Sequence, residues 1–196
     1  MKKLIRFLLI IILILSLLII YARYGGTRGL ITKEYQIETT IDDSFDGLKI
    51  VHFSDLHYLR ITNKETTQSI IEEINLLNPD IVVFTGDLID KDYKPNDKDI
   101  SNLKELLTSI KSKYGKYSVL GEHDIKVEDT IKDIYISSNF ALLDNSYDVI
   151  YGNNNNKLFI GGLSNNPDID KVMNYFTENE DINYKIINIV RTEDSK

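Results

Sequence analysis

Asp55, His57, Asp87, Glu122, His123 and Asp124 are the side chains whose types and spacing suit chemistry on a cation. They lie in three short stretches, Phe53-Ser-Asp-Leu-His57, Phe84-Thr-Gly-Asp-Leu88 and Leu120-Gly-Glu-His-Asp124, each at the end of an apolar run. Carboxylate oxygens mixed with imidazole nitrogens suit Mn, Fe or Zn better than a site of oxygen alone would. Asp55 and His57 are two apart, so an extended backbone sends both side chains the same way and lets them share one ion. Gly86 permits the sharp turn and close backbone approach that a bridging carboxylate at Asp87 needs. Glu122 adds a third carboxylate and His123 a second imidazole, and Asp124 is a partner able to orient that imidazole.

Such stretches need a frame to bring them together. The runs that feed them, Leu48 to Phe53, Ile81 to Thr85 and Tyr117 to Leu120, are short and rich in β-branched or aromatic residues, as strands buried on both faces are. Between them Ile70, Ile71, Ile74 and Leu77, then Ile100, Leu103, Leu106, Leu107 and Ile110, recur at helical spacing. The order is strand, helix, strand, helix, strand. Right-handed crossovers make the strands parallel neighbours, so all three stretches emerge at one carboxyl edge, where open α/β sheets hold ligands. One Asp-x-His or Gly-Asp alone is more often a turn or a helix cap. Three in series at strand ends read instead as half of a metal site.

The series Asp55-x-His57, Gly86-Asp87 and Gly121-x-His123-Asp124 resembles the calcineurin-like metallophosphoesterases, in particular their membrane-anchored bacterial branch. Gly115 to Asp124 is similar to that branch's third motif with its lead-in strand, and Leu158 to Leu163 to a later strand. The resemblance covers roughly residues 30 to 190. It implies an α/β/β/α sandwich in which two divalent metal ions, about 3.5 to 4 Å apart, clamp a phosphate and activate a hydroxide. Carried over, Asp55 and His57 hold the first ion, Asp87 bridges both, and His123 faces the phosphate as proton donor or electrostatic stabiliser, oriented by Asp124. The substrate so implied is a phosphorylated small molecule, mono- or diester, or a lipid-linked pyrophosphate.

Two departures from that pattern bear on activity. Glu122 stands where the family has an Asn ligand; it is longer and charged, and either weakens phosphate approach or replaces a lost ligand. The family completes its site with an isolated His and a later Gly-His-x-His, whereas the three histidines here are His52, His57 and His123. Arg191-Thr-Glu-Asp194 stands where the isolated His is expected. The expectation is a domain cut short in its C-terminal part, its second ion lacking imidazoles and its hydrolysis weakened. The alternative is a non-catalytic anchored domain that binds one metal ion, or none, and serves in interaction.

Phe7 to Ala22 is apolar except for Ser16 and Tyr21, and Leu4 to Ala22 as a helix spans about 28 Å, close to a bilayer core. Tyr21-Ala-Arg-Tyr-Gly lacks a small-x-small cleavage pattern, so residues 1–23 read as an uncleaved signal anchor. Lys2, Lys3 and Arg6 favour a cytoplasmic N-terminus, with Arg23 and Arg28 weakening the bias. The protein is thus expected at the cell membrane, single-pass, with an extracytoplasmic domain. Beyond Arg23 the chain has 19 Lys and Arg against 30 Asp and Glu, a net charge of −11. That surface repels polyanions and argues against nucleic acid as a partner. Absence of cysteine removes disulfide and thiolate chemistry.

The organisation expected is therefore an anchor over 1–23, a tether and first strand over 24–46, and a phosphoesterase domain over 47–196. Within it, Gly25 to Gly29 reads as flexible and Ile31 to Glu38 as the first strand. Asn153 to Asn156 reads as the loop of a hairpin between Tyr147–Tyr151 and Lys157–Ile160, and Val172 to Phe176 as a short helix. His52 reads as packed structure.

Overall fold

The computed structural model describes residues 2–24, 30–153, 156–163, 165–178 and 184–189. It divides into two units, Met1–Glu38 and Thr39–Lys196. In the first, Lys2–Tyr24 form helix α1. Its described side chains, 5 to 19, are apolar except at Arg6 and Ser16 and exposed except at Ser16, whose hydroxyl donates to the Leu13 carbonyl at 2.8 Å. Among the described residues no helix is long and apolar enough to cross a membrane. The strand expected at Ile31–Glu38 does not form. The segment joins neither sheet, and outside a sheet ladder an extended backbone does not make a strand. Gly25 to Gly29 and Arg191 to Asp194 lie outside the described residues.

The second unit is an α/β fold. Strands β1 (Ile50–Phe53), β2 (Ile81–Phe84), β3 (Gly115–Ser118) and β4 (Phe140–Leu142) form one parallel sheet in sequence order. Helices α2 (Lys64–Leu76), α3 (Asp97–Thr108) and α4 (Glu128–Ser137) connect them. Capping sets where the first two begin. Asn63 accepts from the Thr66 N–H at 2.8 Å to start α2, and Asn96 and Asp99 form a reciprocal capping box at the start of α3. The sequence reading left out α4 and β4. The helix has only 10 residues, and its seam of Ile131, Ile134 and Tyr135 is too brief to stand out by period.

Alternation along the strands divides the interior into layers. Val82 and Phe84 face α2, α3 and α4 with Leu103, Leu107, Ile131 and Ile134. Ile81, Val83, Tyr117 and Val119 face the opposite way, onto Ile150, Leu158 and Ile160. Those last residues belong to a second sheet, β5 (Ser146–Tyr151), β6 (Lys157–Leu163) and β7 (Tyr184–Ile189), with β5 antiparallel to β6 and β7 parallel to it. Helix α5 (Ile169–Glu178) covers its outer side through Val172 on Phe159 and Leu163. The β5–β6 hairpin and α5 fall where the sequence places them. The layers run helix, sheet, sheet, helix. Strand β1 lies at the edge of its sheet and only its Val51 and Phe53 pack, on the helix side. His52, expected to be packed, is exposed and shares a 2.8 Å hydrogen bond with the Thr85 hydroxyl.

Candidate metal centre

Past the strand ends, the first two loops keep running side by side. The N–H groups of Asp55, His57 and Tyr58 donate to the carbonyls of Gly86, Asp87 and Leu88 at 3.1, 3.0 and 2.9 Å. This pairing is not extended, contrary to the sequence reading: Asp55, His57 and Asp87 have φ of 56°, 38° and 58°. Left-handed backbone costs a non-glycine residue energy, and three such residues concentrated at one sheet edge mark a place where the surroundings hold a strained geometry. Gly86 has φ +92°, and a Cβ there would strike the backbone of Gly121. A Cβ on Gly121 would strike Asp87 in turn. Two glycines back to back therefore let the third loop close on the second.

Asp124 locks that closure. One carboxylate oxygen accepts from the N–H groups of Asp87 and Gly121 at 2.9 and 3.0 Å, the other from Leu88 and Ile89 at 2.9 and 3.4 Å. Burial pushes its pKa up to about 6, opposed by the Gly121 and Leu88 N–H groups, while the Asp87 charge adds to the rise. The orienting role expected of Asp124 toward His123 is thereby corrected: its two oxygens serve the backbone. Asp87 in turn accepts from the His123 N–H at 2.9 Å through Oδ1, so its carboxylate is fixed by the loop that carries the imidazole.

The residue beside the imidazoles is Asp90, which the sequence reading missed. Its side chain is 3% exposed, and Oδ2 lies 3.4 Å from both His57 Nδ1 and His123 Nδ1. The two rings meet edge to face, with centroids 4.8 Å apart. The other oxygen, Oδ1, takes Arg60 Nη1 at 2.5 Å and the Asp92 N–H at 3.1 Å. Burial alone would raise the Asp90 pKa, but the Asp92 N–H and the Arg60 guanidinium bring it down to about 2. The sequence signal was the spacing Asp87-x-x-Asp90, which reads as an ordinary polar loop until the fold turns both carboxylates inward.

With Nδ1 turned toward Asp90, His57 presents Nε2 to Asp55 Oδ1 at 3.7 Å and to Asp87 Oδ2 at 3.9 Å. His57, Asp87 and His123 together offer ligand atoms that all lie within 4.8 Å of one another. One carboxylate oxygen and two imidazole nitrogens at that separation fit a divalent ion of the Mn, Fe or Zn kind. The carboxylate behind the rings is the outer support such ligands usually have. Buried Nδ1 atoms on both rings, without a hydrogen bond of good geometry, are consistent with rings held by charge and packing. Two expected ligands stand apart. Asp55 is 66% exposed and borders the group through His57 alone. Glu122 is exposed and outside the group.

Comparison with known proteins agrees with this geometry. The chain is 30% identical over 167 residues to "Uncharacterized metallophosphoesterase YkuE" of Bacillus subtilis, covering 81% of this chain and 57% of that protein. It is 33% identical over 89 residues to "Transmembrane protein with metallophosphoesterase domain" of Danio rerio, 45% of this chain and 20% of that one. Over 78 residues it is 36% identical to "UDP-2,3-diacylglucosamine pyrophosphatase LpxG" of Chlamydia muridarum, 40% of this chain and 23% of that one. The chain thus spans little more than half the length of the Bacillus relative. The profile of the calcineurin-like phosphoesterases matches residues 48–193, and with the paired loops and the His57, Asp87 and His123 cluster in place, the chain belongs to the calcineurin-like phosphoesterase family.

Proposed function

We propose that this chain is a metal-dependent phosphoester hydrolase whose substrate phosphoryl group is brought to His57, Asp87 and His123. The convergence of those three ligand atoms within 4.8 Å is the observation that carries this reading. A divalent ion held there supplies Lewis acidity that polarises a phosphoryl oxygen. The chain's own groups do the rest. Asp87, clamped by the His123 N–H, keeps one oxygen aimed at His57 Nε2 and lends its negative charge to the cation. His123, its Nδ1 beside Asp90, has one nitrogen left for one of two exclusive tasks: completing the ligands of the ion or, off the ion, giving a proton to the departing oxygen or stabilising charge on the phosphoryl group. Asp55 adds an oxygen at the rim beside His57.

The finer reading extends to location and substrate. Residues 1–23 anchor the protein in the cell membrane with the phosphoesterase domain, 47–196, outside the cytoplasm. The apolar run Phe7 to Ala22 and the basic residues before it support that topology. Phosphate mono- and diesters are the first substrates to assay. The likeness to a protein named as a pyrophosphatase of a diacylated sugar nucleotide adds lipid-linked pyrophosphates to them. A second reading, a non-catalytic anchored metal-binding domain, draws on the position of Glu122 and Asp55 outside the cluster, which leaves donors for one ion among the described residues.

One set of measurements separates the readings. The full chain in detergent is titrated with Mn and assayed on an aryl phosphate. The enzyme reading expects Mn uptake that Asp87→Asn weakens at least tenfold, and turnover that His123→Ala abolishes. Mn uptake without turnover supports the non-catalytic reading; uptake equal in wild type and an Asp55→Ala, Asp87→Asn double variant sinks both. Protease added to intact cells should remove the domain and leave a membrane-bound stub.

A further inference from the structure

The loops that gather the metal cluster belong to the first sheet, yet the second sheet reaches them. Gly162, near the end of β6, is packed so closely that a Cβ there would strike Leu143, just past β4, and Val119, just past β3. The carboxyl end of β6 therefore stands beside the carboxyl ends of β3 and β4. The loop after β6 crosses to the third metal loop, where the Asn165 side chain donates through Nδ2 to the Gly121 carbonyl at 3.4 Å. A carbonyl oxygen only accepts, so the amide must present its nitrogen.

Asn165 is set in place by the residues that follow it. Asn145, between β4 and β5, spends both ends of its amide on this loop. Its Nδ2 donates to the Asn166 carbonyl at 2.9 Å, and its Oδ1 accepts from the Asp168 N–H at 3.0 Å. Asn145 itself has φ 46°, a left-handed conformation that asparagine tolerates better than most side chains do. Asp168 in turn accepts from the Lys171 N–H at 2.9 Å at the start of α5. The loop is thus tied through Asn166 and Asp168, and Asn165 comes to Gly121 from a fixed base.

Gly121 is a point where one contact bears on the ion. Its N–H donates to Asp124 at 3.0 Å, and its Cα lies so close to Asp87 that no Cβ fits. Its carbonyl is the group that Asn165 takes. Glu122 and His123 come next in the chain, and the His123 N–H is held by Asp87 Oδ1 at 2.9 Å. With Gly121 held at its N–H, its Cα and its carbonyl, the peptide leading to the imidazole keeps little freedom.

We propose that Asn165 is a positioning residue for His123, acting through the Gly121 carbonyl, so that the second sheet as well as the first sets the geometry of the metal centre. The proposal rests on the reading of the site given above. Ordering this peptide before an ion arrives spares the cost of ordering it on binding. Support behind a ligand tunes its affinity for the metal. For one neutral hydrogen bond the effect is about threefold to tenfold.

The test uses the full chain in detergent and two readouts. Histidine-selective 15N labelling gives imidazole NMR signals from His52, His57 and His123 alone, recorded without metal, and Mn uptake is measured by equilibrium dialysis. The variants are Asn165→Ala, which removes the donor, Asn165→Asp, which keeps the shape and sets an acceptor against the carbonyl, and Asn145→Ala, which releases the loop. The His123 signals are expected to shift or broaden in all three while those of His52 stay. Mn affinity should fall about threefold to tenfold with the urea midpoint unchanged, and the Asn145→Ala, Asn165→Ala double variant should bind no more weakly than Asn165→Ala. Unmoved His123 signals together with wild-type Mn affinity in Asn165→Ala would overturn the proposal. So would a lowered urea midpoint with all three histidines shifting together, which would make Asn165 a general support of the fold. Wild type that takes up no Mn, with His123 still shifting in Asn165→Ala, would overturn the metal reading while supporting the hold of Asn165 on His123.

Discussion

Around Asp124 the site is walled by backbone: four N–H groups from two loops converge on one carboxylate, and no imidazole touches it among the described contacts. Around Asp90 it is floored by side chains, with two imidazoles and a guanidinium meeting a carboxylate that takes a single backbone N–H. Both aspartates are buried and both belong to the same loop cluster. They differ in what their charge holds. The wall holds loops in a conformation they would not adopt alone, and the floor holds two imidazoles and a guanidinium. Burial of an aspartate near a site therefore says little about its role until its partners are known.

Removing the wall should have the largest effect. Asp124→Ala leaves four donors, three of them buried, without an acceptor, and we expect a loss of stability on the order of 4 kcal/mol, read from urea denaturation of the full chain in detergent. A loss below about 1 kcal/mol would break the contrast at its root. Gly86→Ala attacks the same closure sterically, because the new methyl meets Gly121 at a φ of +92°. We expect about 3 kcal/mol, against about 1 kcal/mol for Gly47→Ala, where φ is +70° and the space is open.

The floor should fail differently. Asp90→Asn is expected to leave the unfolding free energy from urea denaturation within about 1 kcal/mol of wild type and to weaken Mn binding 10- to 100-fold, the usual consequence of losing the support behind a ligating imidazole. If Asp90→Asn unfolds the chain as Asp124→Ala does, the distinction between wall and floor disappears.

The smallest effect sharpens the comparison by showing a buried charge with no carboxylate at hand. Lys116 is buried, its Nζ donating to the Leu107 carbonyl at 2.9 Å and lying over the Phe140 ring. Burial lowers its pKa from 10.5 to about 8. Between those values the unfolded chain holds more protons than the folded one, so this residue makes stability rise as pH goes up from 8. The gain should be on the order of 1 kcal/mol and vanish in Lys116→Met, measured below pH 10, where the buried Tyr117 phenol, its pKa raised, has not begun to oppose it.

Much of the fold could be read from the chain because its determinants are local. The β-branched runs at Ile50–Phe53 and Ile81–Phe84 and the apolar periods of α2 and α3 follow from side-chain geometry within a few residues. Gly86-Asp87 marked the turn, and the types of His57, Asp87 and His123 marked three side chains that the fold brings together, since residue type alone limits what each can ligate. Ile31–Glu38 misled, because whether a β-like segment pairs depends on a neighbour its own residues do not encode.

What tertiary structure alone decided is how the acids divide their work. Asp124 follows His123 in sequence, yet the turn beginning at Asp124 carries its carboxylate under the Asp87 loop. Asp90, 33 residues before His123, arrives beside its ring because parallel pairing of β2 and β3 sets their loops side by side. Glu122 and Asp55 carry the right chemistry but sit at the rim or outside the cluster. A carboxylate's role depends on which donors the fold brings within about 3 Å of it, and over that distance sequence separation has no bearing.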